Sequence, residues 1–241
     1  MRPESSNIGE CDLPAGVILA RSSSQRLPGK VLMPIAGQPM VRYVIEKLQH
    51  CPVVGRICLA TSTDKSDDEL ARYCEQEGIV CIRGPLENVA ARALIAAEHM
   101  GAQCFFRVNG DSPLLGSELL IEAWDIYRQN SPDLVTNIFP RTFPPGASVE
   151  LIRTSAMQKA VASMIDPDDK EHVTKFFYRH SEQYHIENLL SNQAYGEIHL
   201  AVDCKEDFSV LSKVIARMNR PHWEYRLSET VNLLSEVGAN G

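Results

Sequence analysis

The feature that most constrains this chain is a regular alternation of short apolar runs with segments of helical character. The apolar runs are four or five residues long and are followed by polar loops, which is typical of buried strands. We predict strands at Gly16–Ala20, Arg56–Ala60, Ile79–Ile82, Cys104–Val108, Asp133–Thr136 and Ile198–Val202. Strands that alternate with helices indicate an α/β fold, with a mostly parallel sheet flanked by helices on both faces.

The segments between these runs carry helix signals. Apolar residues recur at helical spacing after Pro39, and Ser66 precedes Glu69 by three residues, which is the pattern of a capping box. We predict helices that begin near Pro39 and Ser66, and further helices at Val89–Met100, Leu119–Tyr127, Phe208–Met218 and Tyr225–Val237.

The composition excludes several classes of protein. Hydrophobic residues make up 44% of the 241 residues, which is enough to bury a core, and a net charge of -7 disfavours a protein that coats nucleic acid. Seven cysteines without a CxxC pair predict free, mostly buried thiols in a reducing compartment. No stretch approaches the ~20 apolar residues of a membrane span, and residues 1–14 carry no signal-peptide pattern. We therefore expect a cytoplasmic protein with no nucleic-acid or membrane partner.

The chain is predicted to form a single domain at residues 15–241, behind a flexible lead at residues 1–14. The alternation breaks after Asn137, where Pro140, Pro144 and Pro145 exclude a central strand. We predict that residues from about 137 to 197 form an excursion beside the sheet, in a position suited to substrate contact or to assembly of a homodimer.

The loop after the first predicted strand has the composition of a polyphosphate site. It brings together Arg21, Arg26 and Lys30 with three serine hydroxyls, and fixed positive charge with short donors suits phosphate groups. It is not a Walker A loop, because Ser24 stands at the position of the first glycine and Val31 follows the lysine. Ligands of open parallel sheets bind at the carboxyl ends of the strands, which is where this loop lies.

Four motifs together resemble the cytidylyltransferase family, whose members activate 3-deoxy-octulosonate and acylneuraminates. The first, Ala20-Arg21 through Arg26-Leu27-Pro28-Gly29-Lys30, resembles the signature ARxxSxRLPGK. The others follow in the expected order: Arg83-Gly84, then Arg107 through Leu114, then Val202-Asp203 with Glu206-Asp207-Phe208. The resemblance covers Gly16 to about Ala216 and is strongest to the spore-coat polysaccharide branch. It implies a Rossmann-like domain of the nucleotide-diphospho-sugar transferase type.

The resemblance implies roles for particular residues. Lys30, Arg26 and Asp111 are the implied catalytic residues, and Asp111 with Asp203 the implied ligands of Mg²⁺. The implied nucleotide-binding residues are Ala20, Arg21, Ser22, Arg26, Lys30, Arg83 and Asn109, of which Ala20, Arg21 and Arg83 face the base. Two aspartates at neighbouring strand ends also suit Mg²⁺ chemically, although either could instead cap the helix that follows it.

The implied contacts to the acceptor lie in the excursion and are Asn137, Arg141, Glu150, His172 and Thr174. Arg141 could pair with an acceptor carboxylate, whereas His172 could equally lie on a solvated surface helix.

The function that the resemblance implies is transfer of CMP from CTP to a sugar-acid hydroxyl, with release of pyrophosphate. Three alternatives stay open: an acceptor that is a sugar 1-phosphate or another phosphorylated alcohol, a non-catalytic nucleotide-binding protein, and a glycosyltransferase. The last would need a metal-binding DxD motif, and Asp166-Pro167-Asp168 has that form but follows a helical run.

Overall fold

A computed structural model describes residues 13–239, so most of the predicted N-terminal lead lies outside the described residues. Helices and strands follow the predicted alternation through the first half of the chain. Their bounds are β1 Ala15–Leu19, β2 Pro34–Ile35, β3 Gln38–Pro39, α1 Met40–Gln49, β4 Ile57–Ser62, α2 Asp68–Gln76, β5 Cys81–Gly84, α3 Val89–His99, β6 Cys104–Asn109, α4 Ser117–Asn130, β7 Leu134–Thr136, β8 Glu150–Arg153, α5 Thr154–Ser163, α6 Pro167–Glu171, α7 Lys175–Arg179, β9 Ile186–Asn188, α8 Lys205–Ala216 and α9 Leu227–Ala239.

The central sheet, within the described residues, has seven strands in the order β5-β4-β1-β6-β8-β7-β9. Strands β5, β4, β1 and β6 are parallel to one another, β8 is antiparallel to both β6 and β7, and β9 is parallel to β7. The predicted α/β class with a mostly parallel sheet is confirmed. The carboxyl ends of β1 and β6 lie side by side, because Leu19 is in register with Asn109.

Each face of the sheet has its own apolar core. Residues of α1, α2, α4, α8 and α9 pack on one face, and residues of α3 and α5 pack on the other. The face of α3 that contacts the sheet is made of Ala90, Ala93, Ala96 and Ala97, all fully buried. These small side chains let α3 lie close to the strands, and this position brings the first turn of α3 near the strand ends.

The predicted strand at 198–202 is wrong. Leu200 and Val202 are fully buried, but their N–H groups bond to loop carbonyls, at 2.7 Å from Pro145 O and 2.9 Å from Asp111 O respectively. The apolar pattern therefore indicated that these residues are buried, but not that they pair with a neighbouring strand. The additional strands of the central sheet are β8 and β9, both inside the segment 137–197 that we predict as an excursion, and β2 and β3 form a separate two-stranded sheet that is not predicted.

The start of the second helix also differs from the prediction. Asp64 caps a 3-10 turn ahead of α2, and its side chain accepts a hydrogen bond from Ser66 N at 2.9 Å; the residue before α2 itself is Asp67, whose side chain makes no capping bond. Ser66 lies inside a 3-10 turn that leads into α2. Asp and Ser are both good caps, and the tertiary position of the chain selected the earlier residue.

Gly110 allows the ends of β1 and β6 to meet. Its N–H bonds to Leu19 O at 2.9 Å, and a Cβ at this position would lie 2.7 Å from Ala20 Cβ. A larger residue would push the two strand ends apart, so glycine is required where the next residue, Asp111, enters the site.

Candidate active site

A cavity of about 620 Å³ opens at the carboxyl ends of β1 and β6. Its wall consists of the loop after β1, the end of β6, the first turn of α3, and residues next to α6 and α8. The lining residues are Leu19, Ala20, Arg21, Ser24, Gln25, Arg26, Lys30, Val31, Val89, Arg92, Arg107, Asn109, Asp111, Glu171, His172 and Asp203. This is the position at which open α/β sheets bind ligands.

Lys30 is the most enclosed cation of the basic loop, with 7% of its surface exposed. It follows Gly29, whose φ of +72° turns the loop back toward the strand ends. Its Nζ donates to Asp111 Oδ2 at 2.7 Å and to Val202 O at 2.6 Å, and lies 3.7 Å from Asp203 Oδ1. One ammonium thus joins two carboxylates that are 92 positions apart in the chain. We call Lys30, Asp111 and Asp203 the lysine–aspartate cluster.

The side chains of the two aspartates do not serve as helix caps. Asp111 bonds to Lys30, and α4 begins only after Gly116. Before α8, the capping carboxylate is Asp207, which accepts from the N–H groups of Asp203 and Cys204, both at 2.9 Å. The side chain of Asp203 is left to face the cavity.

Arg26 approaches the lysine–aspartate cluster from the solvent side. Its Nη2 lies 2.8 Å from Asp203 Oδ1, while most of the arginine side chain stays exposed. His199 Nε2 lies 3.4 Å from the other oxygen of Asp203. Asp203 is therefore surrounded by cationic or protonatable groups, which offset its negative charge.

The opposite side of the cavity is bridged by an ion pair that the sequence did not suggest. Arg21 Nη2 lies 2.7 Å from Glu171 Oε1, which joins the basic loop to α6. The neighbouring His172 also lines the cavity, with its ring largely exposed and 3.6 Å from Asp168. The predicted substrate contact and the predicted solvated surface position are therefore both compatible with the location of His172, since its ring is exposed and also lines the cavity.

Two of the predicted nucleotide-binding residues, Ser22 and Arg83, do not line the cavity. Ser22 N donates to the buried Asp67 at 2.6 Å, which anchors the loop from behind. Arg83 bonds to Ser62 O and Asp64 O, both at 2.8 Å, and pairs with Asp68. Ala20, Arg21, Arg26, Lys30 and Asn109 do line the cavity.

Most of the predicted acceptor contacts are engaged with protein atoms. Asn137 is fully buried and braces the 137–149 loop through Ala147 O and Val149 N. Arg141 bonds to Ser148 Oγ at 3.1 Å. Neither residue lines the cavity.

Glu150 and Thr174 belong to a buried network behind the cavity wall. Glu150 accepts from Thr174 Oγ1 and from Tyr178 OH, and its other oxygen lies 3.0 Å from Arg107 Nη1. Burial, with the Glu150 charge, raises the pKa of Tyr178 well above its usual range, so the phenol stays a donor. The network connects to the ligand space through Arg107, which lines the cavity.

Arg92, Arg107 and Glu171 line the cavity although no role is predicted for them from the sequence, where Arg107 is named only as the start of a family motif. Arg92 stands among the alanines of α3, and Arg107 interrupts the apolar run of β6. A charge inside an apolar pattern is the signal that could have identified both arginines. Glu171 carries no comparable local signal, because it lies in a charged stretch.

Most of the buried side-chain atoms that lack a hydrogen-bond partner belong to residues in or near the cavity. Across the described residues, the side-chain atoms in this condition are Ser22 Oγ, Thr61 Oγ1, Arg92 Nε, Arg107 Nε and His199 Nε2. All but Thr61 belong to the basic loop, the cavity lining or the surroundings of Asp203. Of these residues, Arg92 and Arg107 also line the cavity, whereas Ser22 and His199 do not.

The fold and the site define a class. A basic loop and a buried lysine that faces two aspartates, at the carboxyl edge of a mostly parallel sheet, are the arrangement of a nucleotidyltransferase. The profile of the family described as cytidylyltransferase matches residues 15–228, and the chain belongs to that family.

Relatives and solved structures agree with this assignment. The chain is 24% identical to the spore coat polysaccharide biosynthesis protein SpsF of Bacillus subtilis, over 91% of this chain and 92% of that one. It is 32% identical to the 3-deoxy-manno-octulosonate cytidylyltransferase of Psychrobacter sp., over 49% of this chain and 43% of that one. A cytidylyltransferase structure from Leptospira borgpetersenii superposes with a TM-score of 0.84 at 24% identity, covering 94% of each chain. CMP:2-keto-3-deoxy-manno-octonic acid synthetase complexed with CTP superposes with a TM-score of 0.67 at 15% identity, covering 85% of this chain and 99% of that one.

Three further expectations can be compared with the described residues. Between residues 13 and 239, no helix is long and apolar enough to cross a membrane. The cysteines in this range are free thiols, and burial raises the pKa of Cys58 to about 12, as expected for an inert core residue. The Asp166-Pro167-Asp168 motif begins α6, where Asp166 accepts from Asp168 N, and does not end a strand.

Proposed function

We propose that this enzyme transfers CMP from CTP to a hydroxyl group of a sugar acid, with Mg²⁺ held by Asp111 and Asp203. The proposal rests on the lysine–aspartate cluster, which lies at the carboxyl ends of β1 and β6. Arg26 contacts this cluster through Asp203. The sugar-acid acceptor is supported by the relative that acts on 3-deoxy-manno-octulosonate. The resulting CMP-sugar would be used in the synthesis of a surface polysaccharide or glycan, in keeping with the spore coat relative.

The donor set fits Mg²⁺. Asp111 and Asp203 each place a carboxylate oxygen within 3.7 Å of the same ammonium nitrogen, so these two residues would hold the ion. Residues 13–239 contain no group of three or more His, Cys, Asp and Glu side chains arranged for a metal. Mg²⁺ typically takes one or two carboxylates and completes its shell with phosphate oxygens and water, so two aspartates are sufficient. When bound, the ion would neutralise charge on the triphosphate.

The residues of the chain would position the two substrates and neutralise the charge of the phosphates. The acceptor oxygen would bond to the α-phosphorus of CTP as its hydroxyl proton leaves to solvent, the bond from that phosphorus to the bridging oxygen would break, and pyrophosphate would leave. Lys30 and Arg26 would stabilise the negative charge that grows on the transferred and departing phosphates. Asp111 and Asp203 would hold both cations in place before the substrate arrives, which lowers the cost of ordering them.

Pyrophosphate release tests the proposal. CTP, UTP, ATP and GTP would each be offered with Mg²⁺ and a panel of sugar acids, sugar 1-phosphates and other phosphorylated alcohols. We expect release only with CTP and a sugar acid, and loss of release when Mg²⁺ is chelated. Release with a phosphorylated acceptor alone would overturn the acceptor class, and a preference for another nucleotide would overturn the role of CTP.

We also propose that the enzyme works in the cytoplasm as a homodimer. Phe139, Pro140 and Arg141 are exposed at the start of a loop that Asn137 braces internally, and an exposed segment on a braced loop suits a fixed contact surface. Sedimentation equilibrium of the full chain would give twice the monomer mass of 26.8 kDa. A monomer at micromolar concentration would contradict this part of the proposal.

A further inference from the structure

Asp67 is a buried acid that neither pairs with a cation nor caps a helix. Its side chain is fully buried, and it forms no ion pair with a described residue. It directly precedes α2, but its carboxylate makes no capping bond to that helix. The cap of the neighbouring 3-10 turn is Asp64, three residues earlier. Burying a charged group costs free energy unless hydrogen bonds compensate it, so the contacts of Asp67 indicate what the residue does.

The carboxylate of Asp67 joins the ends of two neighbouring strands. Its Oδ2 accepts hydrogen bonds from Ser62 N at 3.0 Å and from Ser62 Oγ, and Ser62 is the last residue of β4. Its Oδ1 accepts from Ser22 N at 2.6 Å, in the basic loop that follows β1. Hydrogen bonds to an ionised acceptor are stronger than neutral ones. Asp67 therefore ties the basic loop to β4.

The hold on Ser22 extends to Lys30 through one further backbone bond. Ser22 O accepts from Gly29 N at 2.8 Å, which closes the basic loop, and Lys30 is the next residue. In the middle of the loop, Gln25 and Arg26 are exposed, and their amides make no hydrogen bond to a described residue. An exposed loop fluctuates unless its ends are held, and here both ends depend on Ser22.

We propose that Asp67 is a positioning residue, which holds the basic loop in the geometry that binds the triphosphate before a nucleotide arrives. It acts through the backbone of Ser22, since Asp67 itself does not line the cavity. Without this hold, the loop would adopt the binding geometry for only part of the time, and the apparent affinity for a nucleotide falls in proportion to that fraction. The consequence for catalysis rests on CTP as the proposed substrate, whereas the hold on the loop does not.

Asp67→Asn removes the hold with little change in volume. An amide has one acceptor oxygen, so whichever way it turns, its NH₂ group faces either the N–H of Ser22 or the N–H of Ser62. One buried donor then lacks an acceptor, which shifts the loop away from the held geometry by about 5- to 100-fold. We expect the KM for CTP to rise by this factor, while kcat and the KM for the acceptor stay near their native values.

The division of the effect between KM and kcat separates positioning from a loss of folded protein. A partly unfolded variant contains fewer active molecules, so its apparent kcat falls while its KM for CTP is unchanged. Loss of preorganisation does the opposite, because saturating CTP restores the native loop. Asp64→Ala is the matched control: it removes the cap of the same turn, which bonds to Ser66 N, and leaves the contacts of Asp67 in place. It should lose stability and keep the native KM for CTP.

Amide hydrogen exchange, resolved by NMR, tests the hold without any substrate. In the native protein, the amides of Ser22 and Gly29 should exchange slowly, while those of Gln25 and Arg26 exchange freely. In Asp67→Asn, exchange at Ser22 and Gly29 should become about tenfold faster or more, with the amides of β1 unchanged. In Asp64→Ala, the exchange of the loop should match that of the native protein.

Several results would overturn the inference. Fast exchange of Ser22 in the native protein would show that Asp67 does not hold the loop, even if no variant folded. A lower kcat with an unchanged KM for CTP in Asp67→Asn would indicate a purely structural effect. An equal rise of KM in Asp64→Ala would assign the effect to the turn as a whole. Native protein that does not turn over CTP would instead contradict the proposed function, and the exchange rates would still decide whether Asp67 holds the loop.

Discussion

The two buried lysines of the described chain show how the same side chain can lie in a ligand cavity or in the structural core. Lys30 faces two carboxylates in the cavity. Lys47, on α1, is 2% exposed and donates to His222 O at 2.9 Å and Tyr225 O at 3.2 Å. Burial lowers the pKa of Lys47 to about 8, because two carbonyls compensate a buried charge less well than water does. The surroundings of each lysine, rather than its burial, decide what it can do.

Lys30→Met is expected to lower turnover by at least about 10²–10³-fold, since it removes a fixed cation that stabilises charge in the transition state. Pyrophosphate release under saturating CTP would measure it. The matched control is Lys47→Met, which also removes a buried ammonium but leaves the cavity unchanged. Turnover of the control should stay near the native value wherever the protein is folded; equal loss in both variants would remove Lys30 from the mechanism.

Asp203→Asn is expected to raise the Mg²⁺ concentration needed for half-maximal activity by about tenfold or more, because a ligand charge is lost. Asp207→Asn provides the contrast, since Asp207 caps α8 and has no place in the cavity lining. That variant should lose about 1 kcal/mol of stability and keep the native Mg²⁺ requirement. If Mg²⁺ titrations of Asp203→Asn matched those of the native enzyme, Asp203 would not be a metal ligand.

At the scale of elements, the site depends on how closely β1 and β6 approach each other. The basic loop leaves β1 at Ala20, and Asp111 follows β6 by two residues. Their relative position is fixed by the parallel register and by Gly110, which bonds to Leu19 O. Helix α3 adds the third wall of the cavity, because its alanine face lets it pack close to the strands.

Gly110→Ala tests this junction. The new methyl group would lie 2.7 Å from Ala20 Cβ, so the strand ends must separate, at a cost of about 1–3 kcal/mol in the free energy of unfolding. Activity should fall as well, since Asp111 would move relative to Lys30. Gly238→Ala is the control, because a Cβ there has no neighbour within 4 Å. Urea unfolding that gave the two variants the same midpoint would contradict the steric argument.

At the scale of the whole molecule, the C-terminal segment is tied to the first helix by polar contacts. His222 Nε2–H donates to Tyr43 O at 2.9 Å, and Lys47 donates to two carbonyls of the same segment. The groups that face His222 are Tyr43 O, Glu46, Lys47 and His50, and burial lowers the pKa of the imidazole below its ordinary value of 6.5. The segment is therefore held most firmly while His222 is neutral.

The pH dependence of stability follows from this lowered pKa. Below about pH 6.5 the unfolded chain binds a proton at His222 that the folded chain does not, so stability falls as pH decreases toward the folded pKa. The slope from this group is at most about 1.4 kcal/mol per pH unit. His222→Asn should flatten the loss of unfolding free energy between pH 6.5 and 5.5, whereas His185→Asn, at an exposed histidine, should not. A native-like slope in His222→Asn would contradict the assignment.

The local pattern of the sequence determined the first half of the fold and the centre of the site. Strands β1, β4, β5 and β6 and the helices between them follow from short-range periodicity, because short apolar runs alternate with segments of helical spacing along the chain. The positions of Lys30, Asp111 and Asp203 followed from the motifs together with the rule that loops at the carboxyl edge converge.

Tertiary structure decided what depends on pairing between distant segments. Whether 198–202 or 186–188 becomes a strand is a question of which partner the backbone finds, and both segments contain apolar residues. The orientation of Arg83 toward Ser62 and of Arg92 toward the cavity likewise depends on neighbours that the local sequence does not name. A sequence pattern indicates that a residue is buried. Only the folded chain determines which residues it contacts, because those residues come from distant parts of the sequence.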